Sequence, residues 1–278
     1  MTRDDPPAPI SLLTDFGTRD LYVGVMHGVI ANLAPRVRIV DLCHEIAPQS
    51  VADAAFLLDS AAPYFPWGTV HVAVVDPGVG TSRRILCARS SRATYLAPDN
   101  GLLSRVLERD PPAHVVSVEN RDYFLPQVSS TFHGRDVFAP VAAHLSLGVD
   151  PRLLGPEVKA IETLALPTPQ RTDDLHGILG EVIYIDRFGN LVTNVPLAEL
   201  GGIRRVCLGP TVIPGPLCHS YAERSEGSLL AVAGSSGLLE ISVNAGSAER
   251  VLGARRGDKV EISTQPGPVE PVEPAGSS

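Results

Sequence analysis

The segment DPGVGTSRR, from Asp76 to Arg84, brings a carboxylate, a glycine-rich loop and two guanidinium groups close together in the chain. Backbone without side chains lets a ligand approach closely. An arginine beside an aspartate keeps that carboxylate ionised and fixed, which suits a group that orients water or takes its proton. Asp–Arg pairs also sit on many protein surfaces with no catalytic role, so this segment alone leaves both readings open. A second cluster, SSTFHGRD from Ser129 to Asp136, surrounds the His133 imidazole with donors and acceptors. His133 is a candidate acid–base group, or a neighbour of a helix start capped by Thr131 or Asp136. The third cluster is Asp186, Arg187, Phe188, Gly189 and Asn190. An aromatic face beside a primary amide suits a purine, while Asp, Gly and Asn together suit a hairpin turn. The fourth, Gly234, Ser235, Ser236 and Gly237 followed by Asn244 and Ala245, reads as a turn or as a carboxylate-binding loop. The 8 histidines contain no HxH or HxxxH pair, so no metal site is expected.

These groups need elements to hold them. An apolar run over residues 10–13 leads into Thr14, Asp15, Phe16 and Gly17, a strand feeding a loop. Leu21, Val25, Val29 and Leu33 then recur at helical spacing, widened by Met26 and Ile30, until Pro35. Residues 37–42 read as a buried strand, and Ser50 as the cap of a helix with Ala54, Leu57, Leu58 and Ala61 on one face. Residues 70–75 are another β-branched run that stops at DPGVG. Shorter strands at 85–88, 94–97 and 115–118, a helix after Gly101 and one from Asp136 to about Leu147 complete the half. The alternation predicts an α/β domain with a mostly parallel sheet covered by helices. Ligands bind such sheets at the carboxyl ends of strands, where Asp15 and Asp76 both fall.

Residues 158–174 are rich in Pro and Thr with little periodicity, and the domain boundary is placed there. The expected division is an N-terminal α/β domain at 1–165, a linker at 166–175 and a C-terminal domain at 176–264. Short strands between Gly and Pro turns make that second domain a small antiparallel sandwich or barrel. The tail 265–278, dominated by Pro, Glu, Gly and Ser, is expected to be disordered.

A chain of 278 residues, 44% hydrophobic, can bury a sizeable core. Its net charge of −8 argues against nucleic-acid binding, which needs clustered cations. A small cationic or zwitterionic ligand fits better. No apolar run reaches ~18 residues, and the N-terminal residues lack a signal-sequence pattern, so no membrane partner is expected. The 4 cysteines show neither CxxC spacing nor disulfide density. A reducing, cytoplasmic setting is the expectation. Walker, dinucleotide and HExxH fingerprints are absent from the sequence.

Taken in order, TDFG, DPGVG with Arg83 and Arg84, PDNGL at 98–102, STFHGRD, IDRFGN and VNAGSA resemble the SAM hydroxide adenosyltransferase family over residues 9–263. These are relatives of bacterial fluorinases and chlorinases. The resemblance implies hydrolysis of S-adenosyl-L-methionine (SAM) to adenosine and L-methionine, with no cofactor and no metal. It also implies an N-terminal α/β domain, a C-terminal β-barrel-like domain, and a homotrimer whose sites lie between subunits. Asp76, Arg83 and His133 match the family's water-activating triad, and Asp15 the acid that binds the ribose diol. Phe188 and Asn190 match the adenine pocket, Asp186 and Ser235 the positions holding the methionine amino and carboxylate groups. Phe16, Asn244 and Ala245 fall in matched motifs and are read as substrate-binding. The halide-using relatives carry a tyrosine at the Asp76 position and a hydroxyl residue at Gly134, so hydrolysis is favoured over 5′-halogenation. A SAM or adenosine sensor without turnover and a metal-dependent hydrolase using His133 and Asp136 are the remaining alternatives. Gln49, Ser236 and Val243 replace an aromatic residue and two arginines of the fluorinase, so the methionine side of the pocket differs.

Overall fold

The computed structural model describes residues 6–172, 177–200 and 202–264. The expected tail at 265–278 and residues 173–175 of the expected linker lie outside the described residues. The chain divides into two compact units, Met1–Ala165 and Leu166–Ser278.

The first unit is built on β1 (Ile10–Thr14), β2 (Ile39–Cys43), β3 (Val70–Val74), β4 (Ile85–Arg89), β5 (Thr94–Pro98) and β6 (His114–Ser117). They form one sheet in the order β2-β1-β3-β5-β4-β6. The pairs β1–β2, β1–β3 and β3–β5 are parallel, while β4 runs antiparallel to β5 and β6. Both faces are covered. Alternate residues Ile10, Leu12, Val70, Val72 and Val74 enter one cluster with Met26 and Ile30 of α1 (Tyr22–Leu33) and Val141 of α4 (Ala139–Ser146). Leu13, Ala73 and Val75 enter another with Leu58 of α2 (Val51–Ala61) and Val106 of α3 (Ser104–Arg109). The near-continuous apolar runs in the sequence follow from this double cover.

Four local expectations change. The strand expected to be buried at 37–42 is β2, which is only partly buried with Asp41 exposed, because it ends the sheet with a single neighbour. Ser50 occupies the N-cap of α2 but makes no side-chain capping bond. The helix expected from Asp136 starts earlier, as a π-helical turn at Gly134–Phe138 with His133 at its N-cap, and then becomes α4. The stretch read as linker from residue 158 is strapped to the first unit: Val158 and Ile161 pack on the second core cluster, and Glu162 N donates to Asp99 Oδ1 at 2.8 Å.

The second unit carries β7 (Gln170–Arg171), β8 (Gly177–Ile185), β9 (Leu191–Pro196), β10 (Ile203–Leu208), β11 (Thr211–Pro214), β12 (Leu229–Ala233), β13 (Leu238–Val243), α5 (Ala248–Leu252) and β14 (Lys259–Thr264). The order is β11-β10-β14-β8-β9-β13-β12, with β7 beside β8. All these strand pairings are antiparallel. Beyond β11, Cys218 N donates to Ala231 O at 2.8 Å and Cys218 O accepts from Ala233 N at 2.9 Å. The chain leaving one edge thus meets the other, and the sheet becomes a nearly closed barrel around Val182, Val206, Leu239, Ile241 and Val260. The short strands β7 and β11 have no counterpart in the sequence reading.

Candidate active site

Asp15 and Phe16 follow β1, and Asp76 follows β3, so both loops emerge at the carboxyl ends of neighbouring parallel strands. With Tyr22, Gln49, Phe132, His133 and Gly134 they line a cavity of about 410 Å³. Among the described residues, no His, Cys, Asp or Glu grouping there or elsewhere has the form of a metal site.

Asp76, Arg83 and His133 form one hydrogen-bonded chain. Arg83 Nε donates to Asp76 Oδ1 and Oδ2 at 3.0 and 2.9 Å, and Arg83 Nη2 also contacts Oδ2. The Asp76 and Arg83 side chains are 5% and 11% exposed. Arg83 Nη2 lies 2.8 Å from His133 Nδ1. Since a guanidinium has only donors, Nδ1 accepts, and the neutral ring carries its hydrogen on Nε2. Burial, followed by the charge of Arg83, pushes the His133 imidazole below its ordinary value of 6.5, with Asp76 and Asp136 opposing. His133 is therefore neutral near pH 7 and a donor through Nε2.

The competing capping readings give way. Asp136 is fully buried, accepts Ser129 N and Oγ at 2.8 Å each and is held by Arg135 Nε at 2.6 Å, so it braces the loop before His133. Gly134 has a specific steric reason: a Cβ there would stand 3.0 Å from ring atoms of both Phe132 and Phe16. Phe16, Tyr22 and Phe132 form an aromatic trio with centroids 5.0 to 5.9 Å apart, Phe132 meeting both other rings edge-on.

Asp15 Oδ2 accepts Gln49 N at 2.8 Å, and Gln49 holds φ at 65° to present that N–H, an unusual conformation for a side-chain-bearing residue. Behind them Thr14 Oγ1 accepts Phe16 N at 3.2 Å and meets His44 Nδ1 at 2.8 Å, while His44 Nε2 lies 3.1 Å from Asp41 Oδ1. Sequence reading missed His44 because the partner that ties it to the site, Thr14, is 30 residues away in the chain.

The second unit has its own cavity of about 670 Å³, lined by Asp186, Phe188, Asn190, Tyr221, Asn244 and Ala245 among others. The turn reading holds, and the turn lines that cavity. Asp186 Oδ1 accepts Phe188 N and Asn190 N at 2.9 Å each, and Oδ2 accepts Asn190 Nδ2 at 2.8 Å. This leaves the Phe188 ring 74% exposed. Asn244 Nδ2 donates to Arg224 O at 2.7 Å, and Ala245 adopts φ of 55°. Ser235 is not brought to that cavity; it lies on the exposed turn before β13, whereas Asn244 and Ala245 follow the same strand. Glu240, unforeseen from the sequence, is buried in β13, and a Cβ on Gly234 would meet its Oε1 at 2.2 Å. Burial, then the charge of Asp186, raises its carboxyl above the ordinary value. A polar residue inside the apolar run LLEISV was the available signal.

Comparison with known proteins agrees with these motifs. Residues 10–155 match the SAM hydroxide adenosyltransferase N-terminal domain and residues 180–261 its C-terminal domain. An (R)-S-adenosyl-L-methionine hydrolase of Thermus thermophilus is 45% identical over 261 residues, covering 91% of this chain and 99% of that protein. A fluorinase of Nocardia brasiliensis is more distant, at 28% identity over 91% of this chain and 96% of its own. The crystal structure of an uncharacterized conserved protein from Thermotoga maritima superposes with a TM-score of 0.86 at 37% identity, covering 91% of this chain and 99% of that one. The chain belongs to the SAM hydroxide adenosyltransferase family.

Proposed function

We propose that this protein is a SAM hydrolase that directs water at ribose C5′, releasing adenosine and L-methionine. The observation that carries it is the Asp76–Arg83–His133 chain at the cavity wall. Water's oxygen bonds to C5′ as the C5′–S bond breaks, its electron pair returning to the sulfonium to give a neutral thioether. No general acid is needed for that leaving group. One water proton passes to Asp76, fixed by Arg83, while His133 Nε2–H holds the oxygen by donating to a lone pair not used in attack. Near-attack positioning of this kind can supply ~7 kcal/mol or more of barrier reduction.

Asp15 is the proposed acceptor for the ribose hydroxyls, with Phe16 in the wall beside it. Phe188, Asn190, Asn244 and Ala245 are proposed to hold the adenine. Asp186, with Glu240 beside it, would attract the methionine ammonium, and Ser235 is proposed for the carboxylate. That Ser235 and Asn244 flank opposite ends of β13, ~20 Å of strand, favours an extended substrate whose two ends are read separately. No cofactor or metal is required by this chemistry. We further propose a homotrimer, supported by the exposure of the Phe188 ring in a lone copy, and a cytoplasmic setting, supported by the free thiols of Cys43, Cys87, Cys207 and Cys218.

The test is EDTA-treated protein with SAM in ¹⁸O-water, with and without chloride. Adenosine carrying ¹⁸O at C5′ is expected in both. Intact SAM in both would return the protein to a binding role, and 5′-chloroadenosine would make it a halogenase.

A further inference from the structure

The motif PDNGL at 98–102 lines neither cavity described above, yet its side chains grip the catalytic loop at both ends. Asn100 Nδ2 donates to Val75 O at 2.9 Å, one residue before Asp76. Asp99 Oδ2 accepts Arg84 Nε at 2.8 Å, one residue after Arg83, and Asp99 N donates to Arg84 O at 3.0 Å. Between these anchors the loop is stiffened by Val79 N to Asp76 O and Thr81 N to Gly78 O, both 3.2 Å, and by Thr81 Oγ1 to Gly78 O at 2.7 Å.

We propose that Asp99 and Asn100 are positioning residues for the reaction, a two-point clamp that sets Asp76 and Arg83 against His133. The choice of residue types supports this. Asn100 also accepts Leu102 N at its Oδ1, 3.2 Å away, so a carbonyl on one side and an N–H on the other demand a carboxamide. Asp99 is 7% exposed and its second oxygen accepts Glu162 N, while Arg84 Nη2 donates to Ala160 O at 2.9 Å. The clamp is thereby anchored to the strap at 160–164 instead of floating with the loop. Gly101, at φ of 90° and with Leu164 N 2.9 Å from where its Cβ would be, lets the chain turn beneath that strap.

The proposal rests on the reading that Asp76 and Arg83 activate water. Asn100→Asp keeps the acceptor for Leu102 but loses the donor to Val75 and opposes a carboxylate oxygen to that carbonyl. Because small misplacements of reacting groups cost up to ~100-fold, kcat is expected to fall about 10- to 100-fold with KM for SAM within about threefold. Arg84→Gln, which frees the other end, is expected to lower kcat less and in the same pattern, and decides the matter if Asn100→Asp does not fold. Ser104→Ala loosens the strap at Leu164 N and frees Gly101 O, but leaves the bonds of Asp99 and Asn100 to the loop in place, and is expected to lower Tm while leaving kcat unchanged. A folded clamp variant with wild-type kcat, or a Ser104→Ala enzyme as impaired as Asn100→Asp, overturns the clamp. Asp76→Asn assayed in parallel separates the two ideas: if it retains wild-type turnover, the reading of the triad fails, and if it is inactive while Asn100→Asp is normal, only the clamp fails.

Discussion

The two units hold their candidate groups in opposite ways. In the first, each polar group has its partners already: Asp76 on Arg83, Arg83 on His133, Asp15 on Gln49 N, and Asp136 on Ser129 and Arg135. In the second, the polar atoms of Asp186 shape a turn, and the feature offered outward is a largely exposed ring, Phe188, over a wider cavity. Preorganised donors and acceptors lower a barrier because they need no rearrangement at the moment of reaction. An exposed aromatic gains when a ligand or partner covers it. The proposed function thus assigns chemistry to the first unit and most of the recognition to the second.

The largest effect expected from that division is on turnover. Asp76→Asn and His133→Ala should each lower kcat by about 10²- to 10⁴-fold, the range for acid–base groups, with far smaller changes in SAM affinity. The His133 shift gives the pH sign. Nδ1 must be unprotonated to accept from Arg83, and its proton affinity is lowered, so kcat should stay level through pH 7 and fall only as pH drops below 6.5. A kcat profile already falling between pH 8 and 7 would break the assigned tautomer, and His133→Ala should lose this limb.

Phe188→Ala should do the reverse. Base–aromatic stacking contributes about 1 to 3 kcal/mol, so KM should rise roughly 5- to 150-fold while kcat at saturating SAM changes little. Steady-state kinetics over a wide SAM range read both constants. A kcat loss as large as that of Asp76→Asn would mean that recognition and chemistry are not divided between the units.

How far the sequence could carry this follows from particular residues. Asp15 and Asp76 were legible because a strand-then-Asp pattern marks the carboxyl end of a parallel sheet. His133 was legible as a candidate and, through the resemblance, as a companion of Arg83, but the direct 2.8 Å contact between them joins loops from distant parts of the chain and depends on the sheet order. The barrel's β11 is short and alternates weakly, so it was passed over. β2 reads as apolar, yet its edge position leaves it half covered. His44 has no motif to mark it, and Asn100 stands in the PDNGL motif without any role being readable from it. Their roles consist of hydrogen bonds to residues 30 and 25 positions away, which only tertiary structure creates. Ser235 shows the converse: its motif matched, but it stands apart from the cavity that holds its companions.

Glu240 gives the smallest and most discriminating expectation. Burial and the neighbouring Asp186 charge both favour its neutral form in the free protein. A bound SAM brings an ammonium and a sulfonium, and a positive charge nearby favours the ionised form. Binding should therefore release a proton from Glu240, and affinity should improve as pH rises through its raised value. Glu240→Gln keeps the size, removes the ionisation, and should weaken SAM binding about threefold above that pH, with little change below it, as for a single partly screened charge pair. The measurement is calorimetry in the Asp76→Asn background, where substrate survives, in two buffers of different ionisation enthalpy at each pH. Proton release that vanishes with Glu240→Gln ties this buried acid to the substrate's charge. Release that persists means that Glu240 is not its source, and equal affinity at all pH values for the parent and Glu240→Gln proteins leaves Glu240 a packing residue and weakens the assignment of the ammonium to this end of β13.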